Sequence, residues 1–218
     1  MMRTRTRLTG LKRWIEAELC EGREMKTPGE DYDLGDIRYT KPSCYLMWTP
    51  MRKDVHYDMP QKIESVCPCI IASFQESRAM HMEEKRFDRY NKVSRPKEFG
   101  QTLLVDLLFC VYEPGIRLPG FAESVDAGKL DPSLILEGTQ EGIFTLTDWM
   151  DECLEKLLAT EYIPGTDLFV NKENVDYSPY ITPEGVVDKR PCYYGFVRVE
   201  FYCYANKAIN QEVEELLE

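Results

Sequence analysis

The sequence predicts an α+β fold: an antiparallel sheet of about four main strands, two main helices packed on one face, and a long arm between the first two core strands. Three observations carry this. Two stretches repeat apolar residues at helical spacing, four alternate between two faces, and a helix separates two pairs of strands. Along the chain the order is helix, long excursion, strand, arm, strand, helix, strand, strand and short helix.

The first helix is read from "LTGLKRWIEAEL", where Leu8, Leu11, Trp14, Ile15 and Leu19 form one stripe and charged residues fill the other positions. From Thr27 to Gln61 six Pro and Gly residues break the pattern, and "IRYT" and "CYLMW" are short strands that can pair with each other. "SVCPCIIASF" reads as a strand with Val66, Ile70, Ala72 and Phe74 on one face, and Pro68, which lacks an N–H, puts its start at an edge or bulge. "QTLLVDLLFCVY" has a wholly apolar face of Leu103, Val105, Leu107, Phe109 and Val111, while Asp106 interrupts the other. These two strands are expected to pair antiparallel.

Residues 114–138 are again punctuated by Pro and Gly. In "GIFTLTDWMDECLEKLLA" the positions Ile143, Leu146, Trp149 or Met150, Cys153 and Leu157 trace a helix face. "DLFVNKENVDY" is a weaker strand, and "NQEVEELLE" ends the chain as a short acidic helix candidate. The strand between them, "CYYGFVRVEFYC", sends Tyr193, Val197, Val199, Phe201 and Cys203 one way, with Gly195 among them. Tyr194, Phe196, Arg198, Glu200, Tyr202 and Tyr204 point the other way.

At 218 residues and 43% apolar content, the chain suits a single domain, 1–218, with insertions at 27–61 and 114–138, and its core needs neither disulfides nor metals. The net charge of −11 disfavours nonspecific binding to phosphate backbones. The arginine-bearing start has no apolar run of signal-peptide length, and no stretch approaches the roughly 20 apolar residues of a membrane span. A cytosolic site of synthesis is expected, with no membrane partner. The eight cysteines fall mostly inside apolar periodic segments, where a reduced thiol acts as a small hydrophobe.

No hydrolase elbow, phosphate-binding glycine loop or H-E-x-x-H occurs, so no catalytic residue and no cofactor is assigned. Cys67 and Cys69 form a C-x-C pair near His56 and His81, the one arrangement that suggests a metal-binding domain or a thiol enzyme. Zinc favours pairs whose turn converges two ligands, and residues i and i+2 of a strand do not, so a strand face is the simpler reading and no metal ligand is assigned.

The aromatics of 192–204 could stack bases, but Arg198 shares their face with Glu200 in an acidic chain, whereas a base-stacking platform wants a basic groove. Large aromatic area at low rotamer cost also suits a protein interface or a core. The arm, residues 78–100, holds seven Lys or Arg against four Asp or Glu, with Phe87, Tyr90, Val93 and Phe99 between the charges. It reads either as a solvated loop or as an arm reaching an acidic neighbour. The interface reading assigns Arg86, Phe87, Arg89 and Tyr90 of the arm and Tyr194, Phe196, Tyr202 and Tyr204 of the last strand to subunit contacts.

The sequence of elements, from the first helix through "PCIIASF", the arm, "TLLVDLLFCVY" and "FTLTDWMDECLEKLLA" to "CYYGFVRVEFYC", resembles the tail terminator, or tail completion, proteins of long-tailed bacteriophages and prophages over about residues 6–206. The resemblance rests on element order and strand character. It implies a non-enzymatic subunit that closes into a ring, usually a hexamer, on the last ring of the tail tube, stops tube polymerisation and offers a surface to the head–tail connector. Its implied partners are itself, the tail tube protein and the connector, with DNA only passing through a non-sticking lumen. The location is the virion, after assembly in the bacterial host cytoplasm. Another virion neck or tube adaptor, and a small metal-binding domain or enzyme using Cys67, Cys69 and a histidine, remain as alternatives.

Overall fold

The computed structural model describes residues 2–28, 37–50, 63–81, 99–117, 120, 128, 135–136, 140–179, 181–182, 185–186 and 191–203. Helix α1 (Thr4–Ile15) runs directly into a π turn (Glu16–Cys20), and α1 buries Arg7, Leu8, Leu11, Trp14 and Ile15. Three short strands follow, β1 (Met25–Pro28), β2 (Ile37–Thr40) and β3 (Ser43–Leu46). A 3₁₀ turn (Ile63–Val66) then leads into the long strands β4 (Cys69–His81) and β5 (Phe99–Tyr112). Beyond a two-residue pairing of β6 (Ile116–Arg117) with β7 (Ile135–Leu136) comes helix α2 (Glu141–Ala159). The chain returns through β8 (Leu168–Pro179), the small pair β9 (Ile181–Thr182) and β10 (Gly185–Val186), and β11 (Cys192–Cys203).

The fold is α+β, as its sequence pattern predicts. The main sheet has the order β3-β4-β5-β11-β8, in which β4, β5, β11 and β8 are antiparallel neighbours. The fifth strand, β3, is parallel to β4. Here the structure corrects the sequence reading: "IRYT" and the strand after it do not pair with each other. β2 pairs with β1, and β3 joins the sheet edge, where Cys44 lies in register with Ile70 and is buried in the main core.

Strand alternation builds the main core. Leu103, Val105, Leu107, Phe109 and Val111 are fully buried beside Ile70 and Ala72 of β4 and Val197, Val199 and Phe201 of β11. Both helices cover this face. α2 contributes Leu146, Trp149, Met150, Cys153 and Leu157, so the alternatives Trp149 and Met150 are both inward. Trp149 packs edge-on against Phe109, with ring centroids 5.0 Å apart, and its indole N–H donates to the Leu19 carbonyl at 3.1 Å. Gly195 has a steric role: a Cβ there would overlap Met150 Sδ, as one at Gly142 would overlap the Tyr193 ring, so both glycines let α2 lie close on β11.

Arg7 belongs to this core, although its charge argues against it. Its guanidinium forks onto both oxygens of Asp167 at 2.7 Å and donates to Gln101 Oε1 at 2.8 Å. A buried cation is tolerable when its donors are satisfied in this way. The bond to Asp167 raises its pKa while burial opposes.

Two further readings change. Val66 is not on the β4 core face, because the 3₁₀ turn and Pro68 delay the strand to Cys69; Val66 packs instead on the opposite side of the sheet. The arm is also shorter than 78–100. The β4–β5 ladder continues through Arg78↔Thr102 to His81↔Phe99, so both ends of that span belong to a paired hairpin. A bulge between Phe74 and Glu76 lets the ladder run on past the core. Residues 82–98 and the acidic tail 204–218 lie outside the described residues.

Candidate functional site

The sheet face away from the helices divides into two parts. Its middle carries Leu104, Asp106 and Leu108 of β5 beside Phe196, Arg198, Glu200 and Tyr202 of β11, all half-buried. Arg198 stands directly opposite Asp106 and binds it through two contacts of 2.7 and 2.8 Å, with its guanidinium 5.7 Å from the Phe196 ring centre. Glu200 accepts from Asn171 at 2.8 Å and Asn174 at 3.0 Å where β8 bulges. The strip is therefore a mixed apolar and charge-matched surface, with the positive charge of Arg198 neutralised in place.

At the other end the same face is closed by a second, smaller core of Cys67, Cys69, Ile71, Cys110, Tyr112, Cys192 and Tyr194. Cys69 and Tyr194 flank Cys110 in register across β4, β5 and β11. Cys67, just before Pro68, turns back over them. It is held there by Thr27 Oγ1 donating to its carbonyl at 2.6 Å and by the Ser43 amide donating to Pro68 at 3.3 Å. Cys67 Sγ and Cys110 Sγ are 3.1 Å apart, and with Cys192 Sγ all three sulfurs lie within 4.8 Å of one another, fully enclosed.

The trio differs electrostatically from the other thiols. Hydrogen bonds from Cys110 and Cys67 lower the pKa of the Cys192 thiol, against the effect of burial. Cys110 is pushed up, first by its bond to Cys192, and Cys67 is pushed up mainly by burial. In the main core burial alone leads: it raises Cys20 to about 11 and Cys203 to about 12, and raises Cys44 and Cys153 as well. All eight cysteines are free and buried, so those four are the small hydrophobes their sequence context predicts.

The proposed interface residues separate. Arg86, Phe87, Arg89, Tyr90 and Tyr204 lie outside the described residues. Phe196 and Tyr202 sit on the half-buried strip. Tyr194 does not: it is 9% exposed, burial raises its pKa, and its hydroxyl donates to Glu64 Oε1 at 2.9 Å. The chain's own 3₁₀ turn covers it, which removes it from the surface open to a neighbour.

Of the C-x-C and histidine arrangement, the described residues separate one histidine from the cysteines. His81 is twelve positions beyond Cys69 on β4, about 40 Å away at the rise of an extended strand, and His56 lies outside the described residues. The true companions of Cys67 are Cys110 and Cys192, distant in sequence. Their signal was parity: both occupy positions of the face that elsewhere carries Asp106 and Arg198, together with Tyr112 and Tyr194, which marks that end of the face as covered.

No protein-family model matches the chain, and no curated protein matches its sequence. Among the described residues, no helix is long and apolar enough to cross a membrane.

Proposed function

We propose that the chain is a non-enzymatic assembly subunit of a long-tailed phage or prophage virion, of the tail terminator type. In this reading it closes into a ring on the end of the tail tube, halts tube growth and offers a joining surface to the head connector while DNA passes through.

The observation that carries the reading is the β4–β5 hairpin. Its ladder extends to His81↔Phe99 and so fixes the two ends of the basic segment 82–98 side by side at the end of the longest strands. A segment with local positive charge on such a base suits contact with a second copy of an acidic chain. The half-buried strip of Leu104 and Leu108 beside the matched Arg198–Asp106 pair adds a mixed surface of the composition that subunit interfaces use. Another virion neck or tube adaptor shares this physics and is separated from the terminator by the identity of the partner it captures.

The test is solution mass by light scattering across a concentration series, with negative-stain images of any large species. Rings of about six copies are expected, free or on purified tail tubes. Phe87→Ala or Tyr90→Ala weakens that assembly and leaves the thermal melt of the monomer unchanged. A strict monomer at every concentration that purified tubes also fail to recruit overturns the reading.

A further inference from the structure

We propose that Cys67, Cys110 and Cys192 form a structural zinc site, with Cys69 next to them as the fourth thiol. The site is independent of ring assembly.

Three features argue for it. The three thiols come from three separate segments, the turn before β4, the end of β5 and the start of β11, and they converge within 4.8 Å. Zinc–sulfur bonds of about 2.3 Å in a tetrahedron set sulfur–sulfur edges of about 3.8 Å, which small rotamer changes reach from this arrangement. Cys69 is in register with Cys110 across the ladder, and its sulfur lies within hydrogen-bonding reach of Cys110, so it stands next to the trio on the β4 side.

The donor set decides the class of ion. Every ligand atom that converges here is sulfur; the small core also holds the hydroxyls of Tyr112 and Tyr194, and that of Tyr194 is engaged by Glu64. Soft thiolates select zinc or another thiophilic metal over magnesium or calcium, which require oxygen. Four cysteines between 0% and 3% exposed are the pattern of a closed structural centre, not of a catalytic one with an open position. Metal binding exchanges thiol protons for the cation and changes no oxidation state. Its structural consequence is a staple: it ties the Ile63–Val66 turn and the three central strands together on the sheet face away from the helices.

The test uses the full chain, expressed with zinc in the medium and purified under reducing conditions without chelator. Elemental analysis is expected to give about one zinc per chain. Cys110→Ser and Cys192→Ser should each lower that by at least about fivefold, while Cys153→Ser, a buried thiol of the main core, should retain the metal. Because a ligand variant can fail to fold, wild-type protein refolded with Co²⁺ supplies a second readout: thiolate-to-cobalt charge transfer and tetrahedral d–d bands, both abolished by excess zinc. Metal-free protein without cobalt–thiolate bands overturns the proposal. So does zinc retained in the Cys110→Ser/Cys192→Ser double variant, and so does iron or copper found in its place.

Discussion

The two faces of the main sheet are made by the same strands, β4, β5 and β11, yet they are covered by different means. One face lies under α1 and α2, whose apolar stripes repeat with the helix and meet the alternating strand residues. The other, among the described residues, is closed at one end by a short aperiodic turn and a group of thiols and tyrosines. Periodic cover spreads stabilisation over many equivalent contacts. Aperiodic cover concentrates it in a few specific ones, a hydroxyl on a carboxylate and sulfur on sulfur.

Truncating the main layer should therefore do the most damage. Trp149→Ala removes a fully buried ring, its edge contact with Phe109 and its bond to Leu19, and is expected to cost about 3–5 kcal/mol in denaturant melts. A change under about 1 kcal/mol would mean that the helical layer is no more cooperative than the thiol layer. Next comes Arg7→Met, which strands Asp167 beside the core. A loss of about 3 kcal/mol is expected by the same measurement, with the second substitution Asp167→Leu recovering part of it. If the double variant is no better than the single one, the guanidinium contributes through its packing and not through its pairing.

The smallest effect belongs to the other face. Tyr194→Phe deletes one hydrogen bond to Glu64, which is half-buried and can turn to water, so about 1 kcal/mol is expected. Hydrogen exchange should show the loosening confined to residues 63–69 and their β5 partners. Loosening that spreads to α2 would mean that the two layers unfold as one.

The same contrast explains what could be read from the sequence. The alternation of 101–112 and the spacing of Leu146, Trp149, Cys153 and Leu157 identify buried faces because each repeats with the period of its own backbone, and these faces are buried in the fold. β3 was harder: four residues carry too little pattern to distinguish a hairpin partner from a parallel neighbour supplied from elsewhere in the chain. Arg7 has no local signature beyond its place one turn before Leu11, since its reason for burial, Asp167, is 160 residues away. The thiol site suffers similarly. Cys67 and Cys69 attract attention as neighbours, but the contact that matters runs to Cys110 and Cys192, and only their occupation of a face that is polar farther along the strands hints at it.

The π turn at Glu16–Cys20 has a consequence for chain length. Glu21 N–H reaches back five residues to the Glu16 carbonyl, so this turn holds one residue more than its α-helical equivalent. At about 100° per residue a regular helix would carry Cys20 roughly 140° around from Ile15 and away from the buried stripe. The wider turn returns Cys20 to the core, and the Leu19 carbonyl meets the Trp149 indole. Deleting a single residue between 16 and 20 would restore ideal helix geometry and still harm the protein. Over these five positions the fold is sensitive to the number of residues as well as to their identity.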